Sequence, residues 1–276
     1  MFSLLIEIGI IALFILNIYL ARKTKKLDLL IISTVFAALF ENLHVLLFQN
    51  YIGGYYYSNQ FLFFIYKVPL FVILSWGIII LNAYLIASRL TNKVARIFLT
   101  PILVVMVDFA LEFFAVKQGY WTWIGYEATQ GLLGVPANNF ISWTVITLML
   151  IFSYEFLKEK WAVPIVAYIL FAFSSTVMYM VVDSFRIDMN QQVAIIWILI
   201  VLLAAMTLAL WNVKGKEEVK GNELRIASLS RAAYYIFSVV LIITYPSFAK
   251  SIWPILAYVY AIEIAILIAT YYKKEK

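Results

Sequence analysis

The chain has 276 residues, 65% of them hydrophobic and 13% charged, with a formal net charge of +6, no cysteine and a single histidine, His44. A soluble domain carries roughly a quarter charged residues and cannot hide this much apolar surface, so the whole of 1–276 reads as one integral membrane domain. Without cysteine there are no disulfides, thiolate nucleophiles or cysteine-held metals, and one histidine is too few for a haem or a multi-histidine iron site, so neither metal nor cofactor is expected.

A helix needs about 20 apolar residues to cross the hydrocarbon core. In chain order the qualifying segments are 2–20, 28–49, 61–88, 97–116, 138–157, 162–183, 192–212, 231–248 and 252–272. They predict an all-α polytopic transmembrane bundle of about nine spans. The positive cluster of the first segment follows its apolar stretch, which reads as an N-out anchor helix and not as a cleavable signal peptide. The last two segments are separated only by the region from Tyr245-Pro246-Ser247 to Trp253-Pro254, so a re-entrant or kinked pair, and with it eight spans, is the alternative.

Charge adds a direction, because Lys and Arg favour the cytoplasmic side of short loops. One alternate set of connections holds Arg22, Lys23, Lys25 and Lys26, then Arg89, Lys93 and Arg96, then Lys158 and Lys160, then Lys214, Lys216, Lys220, Arg225 and Arg231, and finally Lys273, Lys274 and Lys276. The other set holds only Lys117, Arg186 and Lys250. Nine spans with the N-terminus outside and the C-terminus in the cytoplasm satisfy this bias, and eight break the alternation. The basic excess therefore reads as topology in a multi-pass protein of the cell membrane, with anionic lipid headgroups as counter-charge and no nucleic-acid partner.

Ionisable residues within spans are costly and mark functional sites by default. In this topology Glu41 and His44 fall in the outer half of span 2, Lys67 in the outer half of span 3, Asp108 and Glu112 in the middle to outer half of span 4, and Asp183 at the outer end of span 6. Asn138 and Asn139 open span 5 on the same side. Glu41 and His44 are three residues apart and Asp108 and Glu112 four, so each pair projects from one helix face. The outer connections bring Gly53-Gly54-Tyr55-Tyr56-Tyr57 and Gly119-Tyr120-Trp121-Thr122-Trp123, aromatics with polar handles suited to the mouth of an apolar cavity. Blander readings stand beside these: an interfacial aromatic belt for Tyr55 to Tyr57, a snorkelling or charge-neutralising Lys67, a helix-packing His44, and a structural helix end for Asp183. Glu7, Glu155 and Glu263 take no assignment.

Residues 41–143 resemble the carotenoid hydratase family, acyclic carotenoid 1,2-hydratase-like membrane proteins that add water to the terminal double bond of an acyclic carotenoid end group. The likeness is carried by Glu41, Gly53-Gly54-Tyr55-Tyr56-Tyr57, Val68-Pro69 and Trp76. It continues through Asp108-Phe-Ala-Leu-Glu112, Gly119-Tyr-Trp121-Thr-Trp123, Gly134-Val135-Pro136, Asn139-Phe140 and Trp143. Phe113 and Ser142 depart from it, standing where the family commonly has proline and glycine.

The resemblance implies carotenoid biosynthesis with a cofactor-independent hydro-lyase reaction, an acyclic carotenoid taken from the bilayer, and other carotenoid-pathway enzymes as partners. Protonating a trisubstituted alkene requires a carboxylic acid kept protonated in a low-dielectric site, and paired acids resist ionising together. The catalytic candidates are Asp108, Glu112 and Glu41. The expected substrate-binding residues are His44, Tyr56, Lys67, Trp121, Trp123, Asn139, Trp143 and Asp183, with aromatic faces steadying a cation and His44, Glu41 or Asn139 holding water. A carotenoid or isoprenoid end-group cyclase shares the protonation step and is the nearest alternative. A proton-coupled transporter is the alternative of another class, with Pro69, Pro101 and Pro246 as gates, although no inverted repeat is seen. A retinal photoreceptor would have to use Lys67 for its Schiff base, in an odd position, and a purely structural membrane subunit needs none of these residues.

Overall fold

A computed structural model of the chain describes residues 2–127, 132–185, 191–210 and 221–272. Nine α-helices run through them: α1 (Phe2–Lys23), α2 (Leu27–Phe48), α3 (Leu70–Leu90), α4 (Lys93–Lys117), α5 (Ala137–Phe156), α6 (Val163–Ser184), α7 (Gln191–Leu210), α8 (Gly221–Thr244) and α9 (Pro246–Tyr272). Consecutive helices from α1 to α6 lie side by side, as do α8 and α9, whereas α7 packs against α4, α5 and α9, and together they make an all-α polytopic bundle. Seven helices, α1 to α6 and α8, are long and apolar enough to cross a membrane, and α9 contains the apolar run Trp253–Ile268. α7, 20 residues without a charge, is about 30 Å long.

α3 and α4 form the centre. The most apolar stretch of α4 is 89% buried and that of α3 83%, whereas that of α6 is only 6% buried. α6 therefore lies on the rim against α2 and α5, turning Ile169, Phe173, Val177 and Met180 outward. A helix apolar on every side is at home in that position only where lipid or another chain replaces water.

Two boundaries differ from the sequence expectation. Residues 61–69 continue the apolar run of span 3, yet they form a hairpin of β2 (Phe64–Ile65) on β3 (Val68–Pro69), and α3 begins only at Leu70. Pro69, with ψ at 136°, is the residue before the first helical turn, and Tyr66 turns the hairpin at φ 57°. The carboxylate of Glu7 on α1, itself buried, secures this segment by accepting the backbone N–H groups of Leu62 (3.1 Å) and Phe63 (2.9 Å). At the other boundary α8 starts at Gly221, ahead of the expected 231, so Arg225 and Arg231 belong to the helix and not to a connection. Lys214, Lys216, Lys220, Arg186, Lys273, Lys274 and Lys276 lie outside the described residues.

α8 and α9 meet at Tyr245 and run back antiparallel. Arg231 and Glu263 form a bidentate pair at 2.6 and 2.8 Å, and the rings of Tyr235 and Tyr260 lie 5.4 Å apart. This is a helical hairpin, not one kinked helix. At the end of the bundle away from β2 and β3, Glu155 of α5 accepts from Arg96 Nε of α4 and from the Tyr84 hydroxyl of α3, both at 2.8 Å, and Arg96 reaches Ser88 at 3.1 Å. Glu155 and Glu263 are thus charge-paired with buried arginines of neighbouring helices.

Candidate active site

Two loops return over the opposite end of the bundle and pair there. β1 (Tyr55–Tyr57) runs antiparallel to β4 (Trp121–Trp123), with Tyr55 opposite Trp123 and Tyr57 opposite Trp121. A glycine launches each strand. α4 ends in a Schellman-type cap, with Gly119 at φ 65° and the N–H of Tyr120 reaching the Ala115 carbonyl at 2.9 Å, which swings the chain into β4. At Gly54 the chain passes so close to the end of α2 that a Cβ would lie 1.8 Å from the Phe48 carbonyl oxygen. Gly54 also accepts the Ile124 N–H at 2.7 Å, which locks the two strands together.

Alternation along a strand places residues i and i+2 on one face. Tyr55 and Tyr57 therefore point inward together, as do Trp121 and Trp123. The Tyr55 and Tyr57 hydroxyls both donate to Oε2 of Glu41, Tyr57 at 2.8 Å, and Trp76 Nε1 of α3 donates to Oε1 at 2.7 Å. Trp121 and Trp123 both donate through Nε1 to Oε1 of Glu112, at 2.8 and 2.7 Å. Burial, and next the Glu41 carboxylate, hold both tyrosine phenols well above their usual range, so they remain O–H donors at neutral pH.

Asp108 lies one helical turn from Glu112 on the same face of α4. Asn139 Nδ2 of α5 donates to Asp108 Oδ2 at 3.0 Å. Glu41, Asp108 and Glu112 are each no more than 4% exposed. All three face one cavity, about 1090 Å³ with the open space at its mouth included, whose remaining walls are mainly apolar and aromatic. α1 contributes Ile6 and Ile10, and α8 contributes Tyr234 and Phe237. Trp143 of α5 stacks on Trp76 at 4.0 Å, presenting a double indole beside Glu41. His44 lies under β1 with its ring stacked on Tyr55 at 5.0 Å, and among the described residues its buried Nε2 has no hydrogen-bond partner.

The cavity thus brings together Glu41, His44, Asp108, Glu112, Trp121, Trp123, Asn139 and Trp143. Three expected residues lie elsewhere. Tyr56 faces out, 46% exposed, because it is the middle residue of β1 and strand alternation turns it away from Tyr55 and Tyr57. Lys67 is exposed on the β2–β3 hairpin, its Nζ 5.7 Å from the Tyr66 ring and its backbone N–H on Asn42 Oδ1 at 2.9 Å, so it does not neutralise Glu41. Asp183 is exposed at the end of the peripheral α6 and is absent from the cavity wall. The residues that hold Glu41, namely Tyr55, Tyr57 and Trp76, were absent from the expected set. The two-residue period of the tyrosine run was the available signal for the first two.

Among the described residues no lysine or arginine lines the cavity, and no group of three His, Cys, Asp or Glu is placed to hold a metal. The chemistry on offer is that of carboxyl groups in an aromatic, mainly apolar chamber: proton donation, and stabilisation of positive charge by carboxylates and ring faces. No curated protein and no solved structure matches the chain. Residues 1–211 match the family described as carotenoid biosynthesis protein. That segment takes in α1 to α7 with every acid of the cavity, and the chain belongs to the carotenoid biosynthesis protein family.

Proposed function

We propose that the chain is a carotenoid hydratase, adding water to the terminal double bond of an acyclic carotenoid end group. The observation that carries this reading is the Asp108–Glu112 pair, two buried carboxyl groups one helical turn apart on the wall of the aromatic-lined cavity. Two buried carboxyl groups this close resist ionising together, so one of them keeps its proton. Glu112 Oε1 is already occupied by two indole N–H donors, which favour its carboxylate form, so the proton belongs to Asp108.

In the proposed reaction Asp108 transfers this proton to the hydrogen-bearing carbon of the terminal double bond, and the π electrons form the new C–H bond. The tertiary cation left on the neighbouring carbon faces the carboxylates of Glu112 and Glu41 and the indole faces of Trp76 and Trp143. Water adds to the cation and sheds a proton, which restores the one Asp108 gave. The substrate enters sideways from the bilayer, with its polyene among the apolar side chains and its end group at the acids. On the charge bias of the loops, this end of the bundle faces outward in the cell membrane, with the N-terminus outside and the C-terminus inside.

The test is expression in a host that accumulates acyclic carotenoids, with pigments resolved by mass. Wild type is expected to yield products heavier by one or two waters. Asp108→Asn and Glu112→Gln are each expected to lower conversion by about a hundredfold or more, the upper range for a general acid. Full hydration with both replaced sinks the assignment, and products of unchanged mass point instead to an end-group cyclase.

A further inference from the structure

The cavity also carries on its wall buried tyrosine hydroxyls that neither the acids nor their donors use. Tyr234 of α8 and Tyr120, at the entry to β4, both line it, and they are 2% and 4% exposed. Among the described residues neither hydroxyl makes a hydrogen bond, although Tyr234 faces Ser75 of α3, a further residue of the cavity wall. The two tyrosines belong to one aromatic wall, with Tyr120 packed on Phe114 at 5.6 Å, Phe114 on Phe237 at 5.4 Å, and Phe237 on Tyr234 at 6.5 Å. A buried hydroxyl left without a partner costs about 1–3 kcal/mol, and such a group beside a cavity is matched when the cavity holds an oxygen.

We propose that Tyr234, assisted by Tyr120 and Ser75, binds the water molecule that captures the cation, so that the α8–α9 hairpin completes the active site. α8 lies beyond the segment that matches the family, 1–211, so its share of this wall, Tyr234 and Phe237, is not part of what the family match covers. The hairpin is equipped to hold Tyr234 in place. Three residues before it, Arg231 is clamped by Glu263 of α9, and Ser230 accepts from Asn17 of α1 at 3.2 Å. Separating the water from the acids also serves the chemistry. Water held by a phenol leaves the Asp108–Glu112 pair free to face the alkene, and a hydroxyl oxygen that accepts from the water leaves the water's lone pairs for the cation.

This inference rests on the hydratase reading, and one experiment separates the two. Tyr234→Phe and Tyr120→Phe are made in the full chain and assayed by pigment mass and by isomer separation. Each keeps the ring and removes only a hydroxyl without a partner, so expression and thermal unfolding are expected to match wild type. Protonation continues in Tyr234→Phe, but the cation then loses a proton instead of meeting water. Substrate is still consumed, the hydrated product falls at least tenfold, and double-bond isomers or cyclised products of unchanged mass take its place. A merely structural tyrosine would lower all products together. Wild-type hydration in Tyr234→Phe and in the double variant overturns the role of α8 and leaves the hydratase reading intact. A wild-type chain that forms only products of unchanged mass overturns both.

Discussion

Replacing Gly54 with alanine tests the claim that the β1–β4 pair, and not the helices alone, sets the acid geometry. A Cβ at this position would stand 1.8 Å from the Phe48 carbonyl oxygen and 2.6 Å from its carbonyl carbon, where real Cβ contacts essentially never fall below 3.0 Å. The obstacle is main chain at the end of α2, so no rotamer relieves it and the two backbones must separate by about an ångström. Gly54 immediately precedes Tyr55, and its carbonyl accepts the Ile124 N–H, so the displacement passes both to the Glu41 donors and to β4 with its Glu112 donors. Overpacking of this kind costs about 1–3 kcal/mol of stability. A catalytic group misplaced by about an ångström loses roughly a hundredfold in rate. Gly54→Ala is therefore expected to insert and stay helical, unfold at modestly lower temperature, and convert acyclic carotenoid about a hundredfold more slowly per mole of protein. Gly119→Ala supplies the contrast: it meets no atom within 4 Å, so its cost is confined to the left-handed backbone at φ 65°, about 1 kcal/mol. Wild-type conversion by Gly54→Ala, with the protein folded, would refute the idea that these strands position the acids.

Trp121→Phe and Trp123→Phe each remove one of the two indole donors from Glu112 Oε1, at a cost of about 1–3 kcal/mol in carboxylate stabilisation. Hydrated product is expected to fall roughly ten- to a hundredfold in either variant, more steeply in the double, and pigment mass analysis reads it directly. Tyr56→Phe, Lys67→Ala and Asp183→Asn change side chains outside the cavity, so conversion within twofold of wild type is expected; a large loss in any of them would contradict that placement. Arg231→Met leaves Glu263 buried without its partner and is expected to cost about 3–5 kcal/mol in thermal unfolding of the detergent-solubilised protein. Adding Glu263→Leu should recover most of that loss.

The helices were legible because a bilayer span needs only length and apolarity, and those are local properties of the chain. The failures sit where a segment is solvated by protein instead of lipid. Phe61 to Pro69 is apolar enough to read as the start of a span, but a short apolar run carries no period that separates strand from helix. Here a buried glutamate of α1 supplies the hydrogen bonds that let it fold as a hairpin. The first turns of α8 show the converse. Gly221 to Arg231 is too polar to read as a span, but Arg231 has Glu263 and Ser230 has Asn17, so the chain is helical where hydropathy points to a loop.

The same distinction explains the site. Depth along the bundle axis can be counted from the ends of each span, and on that coordinate Glu41, Lys67, Asp108, Glu112 and Asp183 share one zone. Position around the axis is another matter, because helices that are apolar on every face carry no stripe pointing to the centre. Position near a span end already set Asp183 apart from Asp108 and Glu112, but that α4 is central and α6 peripheral is something neither helix's composition reveals. Within the loops, alternation puts Tyr55 with Tyr57 and Trp121 with Trp123, but which acid each pair meets follows from an antiparallel register between strands more than sixty residues apart. That register gives tyrosine hydroxyls to Glu41 and indole N–H groups to Glu112. A phenol can give up or relay a proton and an indole effectively cannot. On the proposed reading, Glu41 can therefore exchange a proton by way of Tyr55 and Tyr57, whereas the indole donors on Glu112 offer it no such relay.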